Sequence, residues 1–472
     1  MENVDVKKRR KGLSNSIVNK PDISNLQKCV EEIRKAALTN IDGPEDPTNY
    51  HELRGKLEAL RDKFPPLYHE TVYKPFVQKL DDLGQEGFTN ILLKDPRREG
   101  SAALMLDIAQ AILQHGEGYN SKATSAFQEL VSDLYDGFLS LEDRTGVKPP
   151  DISIIPPLVK WGNPGAGPYT WPADATSVFG LKAAIVSLPP VNSKRGLLSW
   201  SSIPHEACGH DILHADIGLL DELAENVRTA LKEQNLEHDL SDYWASRIDE
   251  TASDVLGVLN LGPAATIGLI GYFRGLNAAF SGIASLRNVG SSDDPHPVDI
   301  LRGYLGAYTV GLLEFDQANE WEKIIEAETD NDLSEIQVEG MIISSNEAKQ
   351  SAKIVASTII KTKLMSLENH SLDQIQNWRN KDEEIVSDLR SLLTTIGSLS
   401  EDYRVGIYAA HVVAAAVTEA VSKDGDIDVI FERMITLLKD MHDTNPSWSP
   451  LYVEHPGDIV RHLIYHSGFS FK

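Results

Sequence analysis

The sequence has 472 residues, of which 41% are hydrophobic and 24% are charged, and its formal net charge is −25. Such a negative charge repels phosphate backbones and argues against a nucleic-acid partner. No run of about 18 apolar residues is present, so no membrane span is predicted.

Cysteine usage and the N-terminal composition bear on the compartment. Cys29 and Cys208 are too few for a disulfide framework and do not form a CxxC metal motif. The basic cluster at 7–11 is not followed by the apolar stretch of a secretory signal. Both observations favour a reducing environment, so we expect a cytoplasmic location.

Three regions are expected in chain order. Residues 1–20 are predicted to be a disordered, solvated tail. Residues 21–146 repeat apolar side chains at intervals of three and four, which predicts an N-terminal helical region. Residues 147–472 are predicted to form the metal-site region, in which a small sheet is followed by helices.

The start of that third region differs in composition from the rest of the chain. Residues 147–204 are rich in Pro, Gly and aromatic side chains, which excludes a long helix. The run AAIVSL at 183–188 predicts a short strand that ends at two prolines. The predicted fold class is therefore mainly α, with multi-helix, bundle-like domains and a small β-sheet around residues 150–200.

The segment that follows, PHEACGHDILH, contains three histidines and two acids. A proline directly before His205 is typical of a helix start. Glu206, His210 and His214 are spaced by four, which predicts a stripe on one helix face. His205 and His210 are five apart, so they can share a metal only if the helix carries a one-residue bulge.

A second segment offers carboxylates at helical spacing. Glu250 and Asp254 are four apart on a strongly helical stretch, so they lie on one face. A catalytic zinc takes three protein ligands and keeps one open position. Two histidines and Glu250 meet that number, and Asp254 could accept a hydrogen bond from a ligating histidine. Glu206, next to a ligand, is placed to take a proton from the attacking water.

Together the two segments resemble the zinc metallopeptidases of the dipeptidyl-peptidase III family, whose metal helix carries an extra residue between its two histidines. The first motif matches at His205, Glu206, Gly209 and His210, and the second at Asp249, Glu250 and Asp254. The match covers residues 205–254. The resemblance implies zinc bound by two histidines and Glu250, Glu206 as general base, and Asp254 behind the ligands.

Other interpretations use the same residues. His210 and His214 form a pair four apart, with Asp211 as the base, and this makes His214 a further candidate ligand. Alternatively, Glu206 and His210 with Glu250 and Asp254 form a helical di-metal carboxylate site for iron or manganese and oxygen chemistry. A non-enzymatic helical scaffold with a structural metal is a third alternative.

Zinc-dependent hydrolysis of a peptide or amide bond in a peptide or peptide-like small-molecule substrate is the function we expect. The reaction needs a donor for the oxyanion of the transition state. The candidates are Tyr243, His296, Tyr304 and His455.

The substrate is expected to lie along a sheet edge. In many zinc-helix hydrolases an edge strand precedes the metal helix and a peptide adds to it. We therefore expect 183–188 to be an edge strand, with Trp161, Tyr169 and Trp171 as walls of the cleft.

Overall fold

The computed structural model describes residues 20–39, 41–139, 144–152, 155–163, 167–234, 236–394 and 408–449. The basic cluster at 7–11, His455 and all of the predicted tail except Lys20 lie outside the described residues. Over the part of the chain that is described, the fold is mainly α, as predicted. No helix in these ranges combines the length and the apolar character needed to cross a bilayer.

The helices precede and follow a short β region. Those before it are α1 (Leu26–Leu38), α2 (Tyr50–Ala59), α3 (Pro66–Tyr68), α4 (Lys74–Lys94), α5 (Ser101–Glu117) and α6 (Ser121–Leu139). Those from the β region onward are α7 (Ala173–Thr176), α8 (Leu219–Lys232), α9 (Ser241–Ala245), α10 (Ile248–Leu261), α11 (Pro263–Phe280), α12 (Asp299–Gly311), α13 (Ala318–Asp330), α14 (Ser345–Lys361), α15 (Leu372–Ile375), α16 (Asn380–Thr394), α17 (Ala409–Val421) and α18 (Ile427–Asp443).

The predicted sheet is present, with one correction. Its strands are β1 (Ile155–Trp161), β2 (Tyr169–Trp171) and β3 (Ala183–Leu188), in the order β1-β3-β2. The strand predicted at 183–188 is confirmed, but its position at an edge is wrong. β3 pairs parallel with β1 on one side and antiparallel with β2 on the other. Because both sides of β3 are occupied, a substrate cannot add to it, and β1 and β2 are the edge strands instead.

A second, smaller sheet was not predicted. It contains β4 (Val289–Gly290), β5 (Ile336–Val338) and β6 (Met341–Ile343), with β5 in the centre. β4 pairs parallel with β5, whereas β6 pairs antiparallel with it. Strands of two or three residues are too short to produce an alternating pattern, but this sheet fixes the loop that leads to His296.

The first sheet separates two hydrophobic cores. Ile185 packs into a core formed with α2, α4 and α5, whereas Val186, the next residue, packs into the main core. This alternation is the ordinary consequence of the two-residue period of a strand. The N-terminal helical region predicted over 21–146 contributes to both cores, because α2, α4 and α5 form one of them and α1 and α6 belong to the other. The metal motif therefore follows a rigid, doubly covered sheet.

Candidate metal centre

The first motif forms a π turn rather than a regular α-helix. Residues His205–Gly209 make this turn, and the His210 N–H donates to the His205 carbonyl oxygen five residues back, at 3.4 Å. The wider turn adds one residue and returns His210 to the side of His205, so that their ring centroids are 4.8 Å apart. This is the bulge that a metal shared by these two histidines requires. The helix face predicted for Glu206, His210 and His214 ends at His210. His214 lies in a separate 3-10 turn, Ile212–Ala215.

Gly209 allows the π turn to approach α10 closely. A Cβ atom at Gly209 would lie 2.0 Å from the Ser253 hydroxyl oxygen and 2.6 Å from the Ser253 Cα. The Cα is backbone and cannot rotate away, so any side chain would force the two elements apart. The glycine of the first motif therefore sets the distance between the histidines and the carboxylates of α10.

Gly209→Ala should destabilise the protein by about 3 kcal/mol or more and also lower its metal affinity. Overpacking a core costs about 1–3 kcal/mol when side chains can adjust, and here the backbone must move. Chemical unfolding and metal titration measure the two effects. Gly55→Ala is the matched control, because a Cβ there meets nothing within 4 Å. As a helix-interior replacement, Gly55→Ala should stabilise by about 0.5–1 kcal/mol. Equal stability for both variants would refute the close-packing role.

The ligand groups of three residues form a compact triangle, in which the two oxygens of Glu250 each face one histidine. His205 Nε2 lies 3.1 Å from His210 Nε2 and 3.2 Å from Glu250 Oε2. His210 Nε2 lies 3.5 Å from Glu250 Oε1. Zinc bonds of about 2.0–2.1 Å in a tetrahedron place ligand atoms about 3.3 Å apart. The observed edges therefore match a single tetrahedral ion, and the three residues form a group able to hold a metal.

The hydrogen bonds behind the triangle leave its centre rich in electron pairs. His205 Nδ1 lies 2.9 Å from Asp254 Oδ1, and His210 Nδ1 lies 3.3 Å from Asp249 Oδ1. Because an ionised carboxylate only accepts hydrogen bonds, each ring donates its Nδ1–H, and the neutral form of each ring, which is the form that binds metal, carries its lone pair on Nε2. Glu250 Oε2 is buried and accepts no hydrogen bond from the described residues. Such a convergence of acceptors fits a bound cation.

Protons compete with a metal for these ligands. Burial lowers the pKa of His210, but its hydrogen bonds to Asp249 and Glu250 outweigh burial and raise the pKa to about 11. Burial also lowers the pKa of His205, but its hydrogen bonds to Asp254 and Glu250 outweigh burial and raise the pKa. Without metal, both imidazoles therefore hold extra protons at neutral pH. Metal binding displaces those protons, so metal affinity increases with pH.

Asp254 connects the triangle to α12. Its two oxygens accept from Arg302 Nε and Nη2, both at 2.7 Å, and one of them also accepts from His205. Burial raises the pKa of Asp254, but the Arg302 charge and hydrogen bonds exceed this effect and bring the pKa to about 2. Asp254 is thus a buried carboxylate that stays ionised and fixes the ring orientation of His205.

Asp254→Asn should lower metal affinity by about 10–100-fold, the usual cost of losing a partner behind a metal ligand. The amide keeps the size of the side chain but removes the charge that holds the His205 proton on Nδ1. Competition with a fluorescent zinc chelator measures the affinity. Asp388→Asn, an exposed change on α16, is the control and should bind metal normally. If the metal affinity of Asp254→Asn is unchanged, Asp254 pairs with Arg302 but does not support metal binding through His205.

Glu206 lies beside the triangle but does not belong to it. The side chain is buried, and Glu206 Oε2 accepts the Thr170 hydroxyl of β2 at 2.9 Å. The π turn places this carboxylate directly after the first histidine, and Thr170 holds it against the sheet edge. A carboxylate fixed there is suited to accept a proton from a water at the metal position.

Asp211, the base of the alternative histidine pair, is hydrogen-bonded to α7 through one of its two oxygens. Asp211 is buried, and its Oδ1 accepts the Ala173 N–H at the start of α7, at 2.9 Å. His214 Nε2 contacts Asp249 Oδ1 at 3.3 Å, but His214 lies outside the three-residue group. The structure therefore brings His205, His210 and Glu250 together and leaves His214 next to them.

The predicted transition-state donors occupy different places. His296 Nε2 lies 3.3 Å from Glu250 Oε1, and Asp294 contacts the other ring nitrogen at 3.0 Å. The Tyr243 hydroxyl accepts the Val298 N–H at 3.1 Å, so Tyr243 fixes the loop that carries His296. Tyr304 donates its hydroxyl to Asp330. Among the donors that can be located, His296 is the one beside the ligands.

Tyr272 on α11 is a residue that the sequence did not indicate. Burial raises the pKa of its phenol, and the negative charge of Glu206 raises it further. Within the described ranges no residue is hydrogen-bonded to the Tyr272 hydroxyl, so this hydroxyl remains available as a donor. A tyrosine in the apolar run GLIGYFRGL offered no periodic signal of this placement.

The aromatic residues predicted as cleft walls are only partly suited to that role. Trp161 is fully buried, and its indole N–H donates to the Thr124 hydroxyl at 2.8 Å, so its placement in a cleft wall was wrong. Tyr169 and Trp171 do line a cavity. Cys208, inside the π turn, is buried in the main core, where burial raises the pKa of its thiol.

No family model, curated protein or solved structure matches this chain. The resemblance to the dipeptidyl-peptidase III family therefore rests on the two motifs alone.

Proposed function

We propose that the chain is a zinc-dependent hydrolase of peptide or amide bonds, with zinc bound by His205, His210 and Glu250. The observation that carries this proposal is the triangle of these three residues, whose distances of 3.1, 3.2 and 3.5 Å, the last two to different oxygens of Glu250, are close to the ligand spacing of a tetrahedral zinc site. Three protein ligands leave the open position that a catalytic site needs, and a buried carboxylate, Glu206, lies beside it.

Each neighbouring residue has a chemical role in this proposal. Zinc, when bound, polarises the substrate carbonyl and lowers the pKa of a water toward about 7. Glu206 takes the proton of the attacking water and passes it to the leaving amine. His296, held by Asp294, and the Tyr272 hydroxyl are the donors for the negative charge that develops on the carbonyl oxygen.

The free side of β2 is the substrate track that we propose. Within the described residues β2 pairs only with β3, so its other side can accept an extended peptide. Thr170 in the middle of β2 contacts Glu206, which places this edge beside the general base. Main-chain pairing would bind the peptide, and the scissile bond would lie across the ligand triangle.

Metal stoichiometry and peptide turnover together test the proposal. The purified chain is loaded separately with zinc, iron and manganese, and bound metal is measured by elemental analysis. We expect one zinc per chain and cleavage of a mixed peptide library, detected by mass spectrometry, that stops with a chelator and returns with zinc. Two irons per chain would instead support the di-metal alternative. One zinc without any peptide or amide hydrolysis would support a structural metal.

A further inference from the structure

A polar cavity lies on the opposite side of β2 from Glu206. Its volume is about 490 Å³. Its lining includes two cations, two carboxylates and two aromatic side chains of β2, namely Arg98, Lys160, Asp46, Asp107, Tyr169 and Trp171, together with the amides of Gln110 and Asn163. Tyr169 and Trp171 flank Thr170 in β2, and side chains alternate along a strand. The cavity and Glu206 therefore lie on opposite faces of one strand.

The floor of the cavity is a buried network around Asp107. Lys160, which is 1% exposed, forms an ion pair with Asp107 Oδ1. Asp107 Oδ2 accepts the Tyr169 hydroxyl and the Trp171 indole N–H, both at 2.8 Å. Lys160 also donates to the Tyr169 oxygen at 3.1 Å. The network holds both aromatic residues of β2 in fixed positions.

The two cationic side chains on these walls keep N–H groups that no described residue accepts from, and both carboxylates are already paired. Asp107 already accepts three hydrogen bonds, and Asp46 accepts from Gln110 and pairs with Arg98. Lys160 uses two of its three N–H groups within the described part of the chain. Arg98 has five N–H groups, and among described residues its guanidinium pairs with Asp46 alone. The cavity therefore has unused cationic donors, whereas its carboxylates are satisfied.

We propose that this cavity binds a carboxylate of the peptide substrate, at a residue adjacent to the one that faces the metal. The inference rests on the proposed function, because the peptide must pair with β2. An extended chain advances about 3.3 Å per residue, and its neighbouring side chains point to opposite faces. A residue facing the metal thus has neighbours that face the cavity. The carboxylate belongs either to an acidic side chain or to the peptide C-terminus.

Calorimetric binding of synthetic peptides tests the proposal. The probes are acetylated pentaalanine peptides with one glutamate placed at each position in turn and a glutamine twin for each. Every peptide is made both as a free acid and as an amide. Binding is measured to zinc-loaded Glu206→Gln protein, so that turnover does not interfere. The same titrations are repeated with two double variants, in which Glu206→Gln is combined with either Arg98→Gln or Arg97→Gln. Arg97 is exposed, carries the same charge and is not among the residues that line the cavity, so it is the matched control.

We expect at least one carboxylate peptide to bind about tenfold more tightly than its neutral twin, the usual scale for a hydrogen bond to a charged group. Arg98→Gln should remove most of this preference, and Arg97→Gln should retain it. A Glu-over-Gln preference identifies a side chain as the source, whereas an acid-over-amide preference identifies the C-terminus.

The inference would be overturned if every carboxylate peptide bound as tightly as its neutral twin, or if no peptide bound at all. Cleavage by the unmodified protein is followed separately. Cleavage without a carboxylate preference would refute the cavity role alone. Carboxylate-selective binding without cleavage would support the cavity role and refute the hydrolase.

Discussion

Alanine in place of His205, His210 or Glu250 should in each case lower zinc affinity by more than about 100-fold. Losing a partner behind a ligand costs about 10–100-fold, and losing a ligand atom itself costs more. Each of these residues supplies one corner of a triangle with edges of 3.1 to 3.5 Å, so two remaining corners cannot hold the ion in the same geometry. Bound metal is measured by chelator competition and elemental analysis.

His214→Ala is the matched control, because His214 contacts Asp249 but stands outside the ligand group. We expect its zinc affinity to stay within a few-fold of the unmodified protein. Loss of zinc from His214→Ala together with retention by His205→Ala would show that the His210 and His214 pair holds the metal.

Glu206→Gln should retain zinc while peptide turnover falls by about 10²–10⁴-fold, the usual contribution of a positioned general base. Glutamine keeps the size of the side chain, and its carbonyl oxygen still accepts the Thr170 hydroxyl. It cannot take the proton of the attacking water. The measurement is kcat/KM on a cleaved peptide, made on protein with verified zinc content.

Glu233→Gln provides the same chemical change at an exposed position after α8 and should leave turnover unchanged. If Glu206→Gln loses its metal, Glu206 is a ligand, as the di-metal interpretation requires. If it keeps both metal and turnover, the base is another residue.

The local geometry of the first motif could be predicted from the sequence because the periodicity of a helix is fixed. Two histidines five apart share a metal only through an added residue, and the π turn at His205–Gly209 contains that residue. The end of the stripe at His210 was not predictable in this way. It depends on the close contact of Gly209 with Ser253, a tertiary contact that leaves no periodic signal.

The sheet shows a similar division. The short apolar run at 183–188, ended by two prolines, was sufficient to place a strand with correct bounds. Strand order depends on which neighbours pair. A three-residue strand such as β2 is too short to be recognised from its sequence pattern. The edge was therefore assigned to the wrong strand. Tyr243 was predicted as a transition-state donor, and its hydroxyl accepts the Val298 N–H, a contact that depends on how the loop folds.

The position of Cys208 has a consequence for how the centre responds to oxidants. Cys208 lies within the π turn, two residues before His210, yet its thiol is buried in the main core and its raised pKa keeps it protonated. The donor set is therefore two imidazoles and a carboxylate, without sulfur. Metals that prefer thiolates, such as Cu(I), gain no advantage there. Peroxide releases metal from thiolate sites by oxidising their sulfur ligands, and a metal bound by His205, His210 and Glu250 has no ligand of that kind to lose.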